Sequence, residues 1–156
     1  MALNRSRTCP VTILHPSDAL LSTVDSLILS TREMVATSQF TDSAQRFDPP
    51  LAFNPVVEEA VKLYQKAKDL REPPRISTHL AVLQKSSYIG RIHDALVVPL
   101  ENRDSTVNVR DESGSNWEIK WIWTNFLFVQ RLTHIDVAEG QRVGAVIVHF
   151  QRQTPQ

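Results

Sequence analysis

The side chains best suited to proton transfer are those of Asp94, His149 and His79. In RIHDALVVPL, every second position from Ile92 is apolar except Asp94, so a carboxyl group interrupts an apolar row. Burial in such a row raises the pKa of a carboxyl group, which suits a general acid or base near neutral pH. The competing interpretation is a carboxylate paired with an arginine or with a backbone amide near a strand end.

The two histidines have a similar double interpretation. His149 follows an apolar row on the last predicted strand, and His79 shares a strand face with small side chains. Each is a candidate proton carrier, and each also fits a histidine held at the core or its rim. The five histidines show no close ligand spacing, so no metal is predicted.

Other reactive patterns are missing from the sequence. The four glycines form no phosphate-binding loop, and Cys9 is the single cysteine. No nucleophile elbow is present, so the sequence predicts neither a cofactor nor covalent catalysis.

Three tryptophans lie within seven positions, and on one strand they would all face the same way. Trp117, Trp121 and Trp123 then predict an aromatic pocket for a ligand. Asn125, on the same face, is a candidate to polarise an oxygen, and Arg91 is a further substrate-binding candidate. The alternatives are indoles that fill a core and an Asn125 that satisfies one of their N–H groups.

Two helices followed by strands make up the predicted order of elements. Leu20, Val24 and Ile28 recur at helical steps after Ser17, and a second helix begins at Asn54–Pro55 and ends before Pro73. Beyond Arg75 the apolar period changes to two. The predicted strands are 76–84, 88–100, 105–111, 116–131 and 143–152.

These elements predict an α+β fold in which N-terminal helices pack on a curved antiparallel sheet. Residues 1–15 are expected to be a flexible segment, and 16–156 a single domain. Both faces of the sheet are apolar at its centre. The helices cover only one face, so a homodimer through the sheet is expected.

Composition limits the other partners. Lys plus Arg and Asp plus Glu each total 17, so no net charge attracts nucleic acid or an anionic membrane. No stretch is long enough to span a bilayer. A single cysteine is typical of a cytoplasmic protein.

The stretch FLFVQRLTHIDVAEGQRVGAVIVHF resembles the closing hairpin of the nuclear-transport-factor-2-like superfamily, which includes the SnoaL-like cyclases and isomerases. It combines a strand, a turn with Asp136, an Arg142–Val143–Gly144 step and a final apolar strand. The resemblance implies a cone-like α+β barrel, dimeric through its sheet, with a pocket between helices and sheet. The chain departs from the family in a proline-rich connection after the first helix, and no family dyad maps onto it.

The resemblance also implies a function. As an isomerase, cyclase or lyase of small-molecule biosynthesis, the chain would perform cofactor-free acid–base chemistry on an apolar or polycyclic substrate. The alternative is a non-catalytic dimeric binding or assembly module that recruits a protein partner.

Overall fold

The computed structural model describes residues 9–37, 44–89, 93–100 and 105–151, without the side chains at 26, 30 and 33–37. Its helices are α1 (Asp18–Thr37) and α2 (Asn54–Ala67), and a 3-10 turn (Leu51–Phe53) leads into α2. The strands in the described ranges are β1 (Val11–Leu14), β2 (Ala44–Phe47), β3 (Arg75–Leu83), β4 (Ser86–Tyr88), β5 (Ala95–Pro99), β6 (Ser105–Arg110), β7 (Asn116–Trp121), β8 (Phe126–Val129), β9 (His134–Asp136) and β10 (Val143–Gln151).

The strands form two antiparallel sheets. One has the order β1-β8-β5-β10-β3-β2, and the other has the order β4-β9-β6-β7. From β3 onward the chain passes back and forth between the two sheets, which is the connectivity of a jelly roll built on eight strands. The first two strands extend the larger sheet at its two edges.

The larger sheet is covered on both faces. One face packs against the smaller sheet through Val97, Ile147, Trp121 and Ile135. The opposite face packs against the helices and the 3-10 turn, and the core there includes Val24, Ile28, Phe53, Leu96 and Phe150. All five residues of β5 are therefore buried, which explains its unbroken apolar sequence.

The smaller sheet is covered on one face only. Val107 and Val109 of β6 are buried between exposed or half-buried neighbours, and in β9 the buried Ile135 lies between His134 and Asp136. This alternation of apolar and polar side chains is the expected pattern for a sheet with one face in solvent.

The predicted fold class is wrong. The helices do pack on a sheet, but the strands in the described ranges form a jelly roll of two facing sheets instead of the single curved sheet that was expected. The error has a physical reason: the second apolar face of the larger sheet is covered by the chain's own smaller sheet, and this needs no second copy. The homodimer itself stays a prediction.

The element boundaries show where the two sheets separate. The predicted strand 116–131 is divided into β7 and β8, which belong to different sheets, and 88–100 contains the end of β4 and all of β5. The predicted strands 105–111 and 143–152 match β6 and β10 within a residue. Residues 11–14, expected in a flexible segment, form β1 and pair with β8.

The N-terminus of α2 also differs slightly from the expectation. Phe53 occupies the cap position, Asn54 is the first helical residue, and Pro55 follows in the first turn, where its missing N–H has no consequence. In the described part of the chain, no helix is both long and apolar enough to cross a membrane.

Candidate functional site

Four basic side chains gather near one end of the space between the sheets, and we call Arg46, His79, His93 and His149 the inward basic cluster. On β10 the odd-numbered residues face the smaller sheet, and His149 continues the row of Val143, Ala145 and Ile147. The other members are placed by pairing with inward residues. His79 lies opposite Ile147 on β3, Arg46 lies opposite Ala81 on β2, and His93 precedes Ala95, the partner of His149, by two residues.

The imidazoles of His79 and His149 lie face to face, with ring centroids 5.0 Å apart and planes 24° apart. Burial, then the charge of His149, then that of Arg46 lower the pKa of His79 to about 4. Burial, followed by the charges of Arg46 and His93, also lowers the pKa of His149. Both rings are therefore neutral at pH 7. Among the described residues, every charged group that shifts their pKa values is basic.

His93 adds an unsatisfied atom to the cluster. Its Nδ1 is buried and has no hydrogen-bond partner in the described structure. A buried nitrogen of this kind normally has a partner, because leaving it unpaired costs about 1–3 kcal/mol. The cluster thus combines a positive charge that opposes protonation of two imidazoles with an unpaired polar atom, an arrangement more typical of a ligand site than of a packed core.

Asp94 lies on the opposite side of the strand from His93. Its Oδ1 accepts a hydrogen bond from the Arg131 backbone N–H at 3.0 Å, and its carbonyl accepts one from Phe150 N–H at 3.0 Å. The side chain also lines a cavity of about 500 Å³ with Lys68 and Thr133. Asp94 and His149 therefore do not converge on one face, whereas His79 and His149 do.

The row of tryptophans does not exist. Residues 122–125 form a turn, in which the Asn125 N–H donates to the Ile122 carbonyl at 3.0 Å. Trp121 is fully buried between the sheets and donates its Nε1–H to the Gly144 carbonyl at 3.1 Å, whereas Trp123 packs on the helical side. Trp117 is half-buried on the smaller sheet. The three indoles thus share no pocket, and Arg91 lies outside the described residues.

A second polar group, which sequence reasoning did not single out, lies on the outer face of the smaller sheet. We call Ser86, Tyr88, Arg110, His134 and Asp136 the outer-face cluster. Arg110 Nε donates to Asp136 Oδ2 at 3.3 Å and Arg110 Nη2 donates to Ser86 Oγ at 3.3 Å. Ser86 Oγ also lies 3.4 Å from His134 Nδ1, and the Tyr88 ring lies on the His134 ring with centroids 3.6 Å apart. The signal in the sequence was the alternation of His134, Ile135 and Asp136.

Solved structures share this fold, although the sequence matches no family model and no curated protein. A prolyl-4-hydroxylase from Pseudomonas putida matches with a TM-score of 0.64 at 13% identity, over 94% of this chain and 95% of its own. A Trichoplax adhaerens prolyl hydroxylase, in complex with a hypoxia inducible factor peptide fragment, matches with a TM-score of 0.63 at 10% identity, over 94% and 86%. HygX from Streptomyces hygroscopicus, with nickel and 2-oxoglutarate bound, matches with a TM-score of 0.57 at 12% identity, over 96% and 87%.

These similarities correct the expected family and function. A cupin domain and the polyketide cyclase RemF also match, but with TM-scores of 0.37 and 0.36 over about half of this chain. The SnoaL-like assignment and the cofactor-free isomerase, cyclase or lyase chemistry are wrong: the shared fold is that of hydroxylases and of a protein holding a metal and 2-oxoglutarate. The expected pocket between helices and sheet is occupied by core side chains such as Phe53 and Phe150.

The metal that this fold suggests does not fit the described residues. Non-haem iron oxygenases hold iron with two histidines and one carboxylate. In the described ranges, no three side chains of His, Cys, Asp or Glu lie where they could hold a metal ion together. The inward histidines have the basic Arg46 beside them, whose positive charge opposes a cation. We therefore derive no step through a metal.

Proposed function

We propose that this chain binds a small organic acid of the 2-oxoglutarate class at the inward basic cluster, within an oxygenase-type jelly roll. The observation that carries the proposal is the cluster itself, in which the rings of His79 and His149 stack and the charge of Arg46 opposes their protonation. A bound carboxylate would offset the effect of Arg46, since an anion favours the protonated form of each neighbouring imidazole.

The chemistry of the donors supports an anion. The Arg46 guanidinium offers paired N–H groups that match a carboxylate, and a protonated imidazole donates from both ring nitrogens. The buried Nδ1 of His93 would also gain a partner. We choose 2-oxoglutarate as the first ligand to test because it is bound in HygX, which shares the fold. A cytoplasmic location, where such acids are common metabolites, belongs to this proposal.

The test is isothermal titration calorimetry of the protein with 2-oxoglutarate and with succinate, in EDTA, at pH 6 and pH 8. We expect binding in EDTA that is tighter at pH 6, because the histidines must be protonated to pair with the anion. Each of Arg46→Ala and His149→Ala should weaken binding by about tenfold or more, the loss typical of a hydrogen bond to a charged group.

The matched control is Lys120→Ala, which removes an exposed cation from the outer face of the smaller sheet and should leave the affinity unchanged. A parallel assay measures succinate release from 2-oxoglutarate with Fe(II) added. Absence of binding in EDTA, equal weakening by all three substitutions, or binding and turnover that require Fe(II) would each overturn the proposal.

A further inference from the structure

The outer-face cluster borders a groove that the proposed organic-acid site does not use. This groove has a volume of about 410 Å³, within the range of small-molecule sites. It is lined by Tyr88, Arg110, His134 and Leu132, together with the turn at 111–114. Because the inward basic cluster lies on the opposite face of a packed core, the two places are independent.

An exposed aromatic ring lines the groove. Tyr88 is 42% exposed, although a tyrosine normally buries most of its apolar area. One side of the ring rests on His134, which is itself tied to Ser86. The ring is thus held in place while part of it stays available to solvent, which is the arrangement of an apolar platform for a ligand.

The polar side of the groove is fixed as well. Asp111 Oδ1 accepts hydrogen bonds from the backbone N–H of Ser113 and of Ser115, both at 3.0 Å, and from the Ser113 hydroxyl at 2.6 Å. Leu132 adopts a left-handed backbone conformation with φ of 64°. A leucine in this conformation costs about 1–2 kcal/mol. The packing around Leu132, and not the preference of its own backbone, therefore holds this part of the groove in place. A preformed groove loses little conformational entropy on binding.

The charges of the lining decide the class of ligand. Asp111 and Glu112 line the groove as acids, while the charge of Arg110 is compensated by Asp136. Anionic ligands such as phosphates are therefore disfavoured. Hydroxyl groups are suited to this lining, because each hydroxyl both donates and accepts hydrogen bonds and the groove offers acids, the Ser113 hydroxyl and a guanidinium together.

We propose that the outer-face groove binds a saccharide, a neutral polyhydroxylated ring whose apolar face lies on Tyr88. Its hydroxyl groups donate to Glu112 and accept from Arg110, whose orientation Asp136 and Ser86 hold. The Tyr88 phenol ring supplies apolar contact, and its own hydroxyl is not required.

Nuclear magnetic resonance titration of the full chain with methyl glucoside, methyl mannoside and methyl galactoside tests this proposal. We expect at least one glycoside to shift the resonances of Tyr88, His134 and Ser113. Tyr88→Phe should keep the affinity within about threefold, whereas Tyr88→Ala should abolish the shifts at His134, because the platform is lost.

Lys120→Ala is the matched control, since Lys120 is exposed on the same face but does not line the groove. It should bind the glycoside as the unsubstituted protein does. If Tyr88→Ala changes the fold, its backbone spectrum will reveal this, and Glu112→Gln then tests the site by a loss of affinity in a well-folded variant. Shifts with no glycoside, shifts that survive Tyr88→Ala in a folded protein, or equal losses in Lys120→Ala would overturn the inference.

Discussion

The side chains of the inward basic cluster are arranged so that protonation of its histidines is unfavourable. Two half-buried neutral imidazoles lie beside an exposed guanidinium, and protonation of either His79 or His149 is opposed by burial and by Arg46. Packing of the two faces of the sheet sets these positions, because each of the three residues continues a row that starts inside the core.

Replacing His79 by Gln should make the protein less sensitive to acid. Burial and the charges of His149 and Arg46 lower the pKa of His79 in the folded protein from its ordinary value of 6.5 to about 4. The unfolded chain therefore takes up the proton first, and stability falls as the pH drops from about 6.5 towards 4. After discounting for partial exposure, His79 should account for on the order of 1–2 kcal/mol of that loss.

Urea unfolding at pH 7 and pH 4.5 measures this contribution. The unsubstituted protein should lose more unfolding free energy between the two pH values than His79→Gln does. His15→Gln, which removes an exposed histidine outside the cluster, should retain the full loss. A variant at position 79 that loses as much as the unsubstituted protein would contradict the assignment.

The sequence identified part of this arrangement at the residue scale. The sequence points to His149 at the end of an apolar row and to His79 on a face with small side chains, and the structure places their rings in contact. Arg46 was not selected, because β2 lies in a proline-bordered stretch without a clear period. The predicted row of tryptophans is wrong because Ile122 and Trp123 are apolar residues in a turn. The turn contains no glycine or proline that would have marked the end of the strand in the sequence.

At the scale of elements, the two sheets differ in their sequence patterns. β6 and β7 alternate because one of their faces is in solvent, whereas β5 and β8 are apolar throughout because both faces are covered. Both patterns are visible in the sequence, and they predict where strands lie, as the match of the predicted strand 105–111 to β6 shows. The sequence pattern did not reveal which strands share a sheet, since strand pairing depends on residues that are distant in the chain.

The turn between β6 and β7 should depend on a single carboxylate. Asp111→Ala removes an acceptor for two backbone N–H groups and one hydroxyl, so it should destabilise the protein by about 1–2 kcal/mol. Glu112→Ala changes the neighbouring exposed acid and should stay within about 0.5 kcal/mol. Chemical denaturation of both variants measures the difference, and equal stabilities would show that the turn does not need the Asp111 carboxylate.

At the scale of the whole molecule, β1 closes one edge of the larger sheet. It pairs with β8 from Val11–Val129 to Leu14–Phe126, and the Gln130 N–H donates to the Pro10 carbonyl at 3.1 Å. Val11 is buried in the core between the sheets. The N-terminal residues are therefore part of the packed structure from Pro10 onward.

Deletion of residues 1–15 should expose β8 as an unprotected apolar edge. Such edges pair with other chains, so the shortened protein should unfold at a lower temperature and form oligomers. Light scattering after size-exclusion chromatography measures the association, and the intact chain in the same experiment tests the predicted homodimer. Deletion of residues 1–8 alone is the control and should behave as the intact chain does. A shortened protein with unchanged mass and melting temperature would show that β1 is dispensable.

The position of β10 has a consequence for how the protein is made. This strand lies between β5 and β3 in the larger sheet. The two earlier strands therefore cannot be joined into one sheet until β10 has been synthesised. During synthesis, the edges of β3 and β5 that pair with β10 stay unpaired while the later strands are still inside the ribosome. The sheet closes only after residue 151 has left the exit tunnel, and nascent chains of this protein should therefore depend on chaperones that shield unpaired strands.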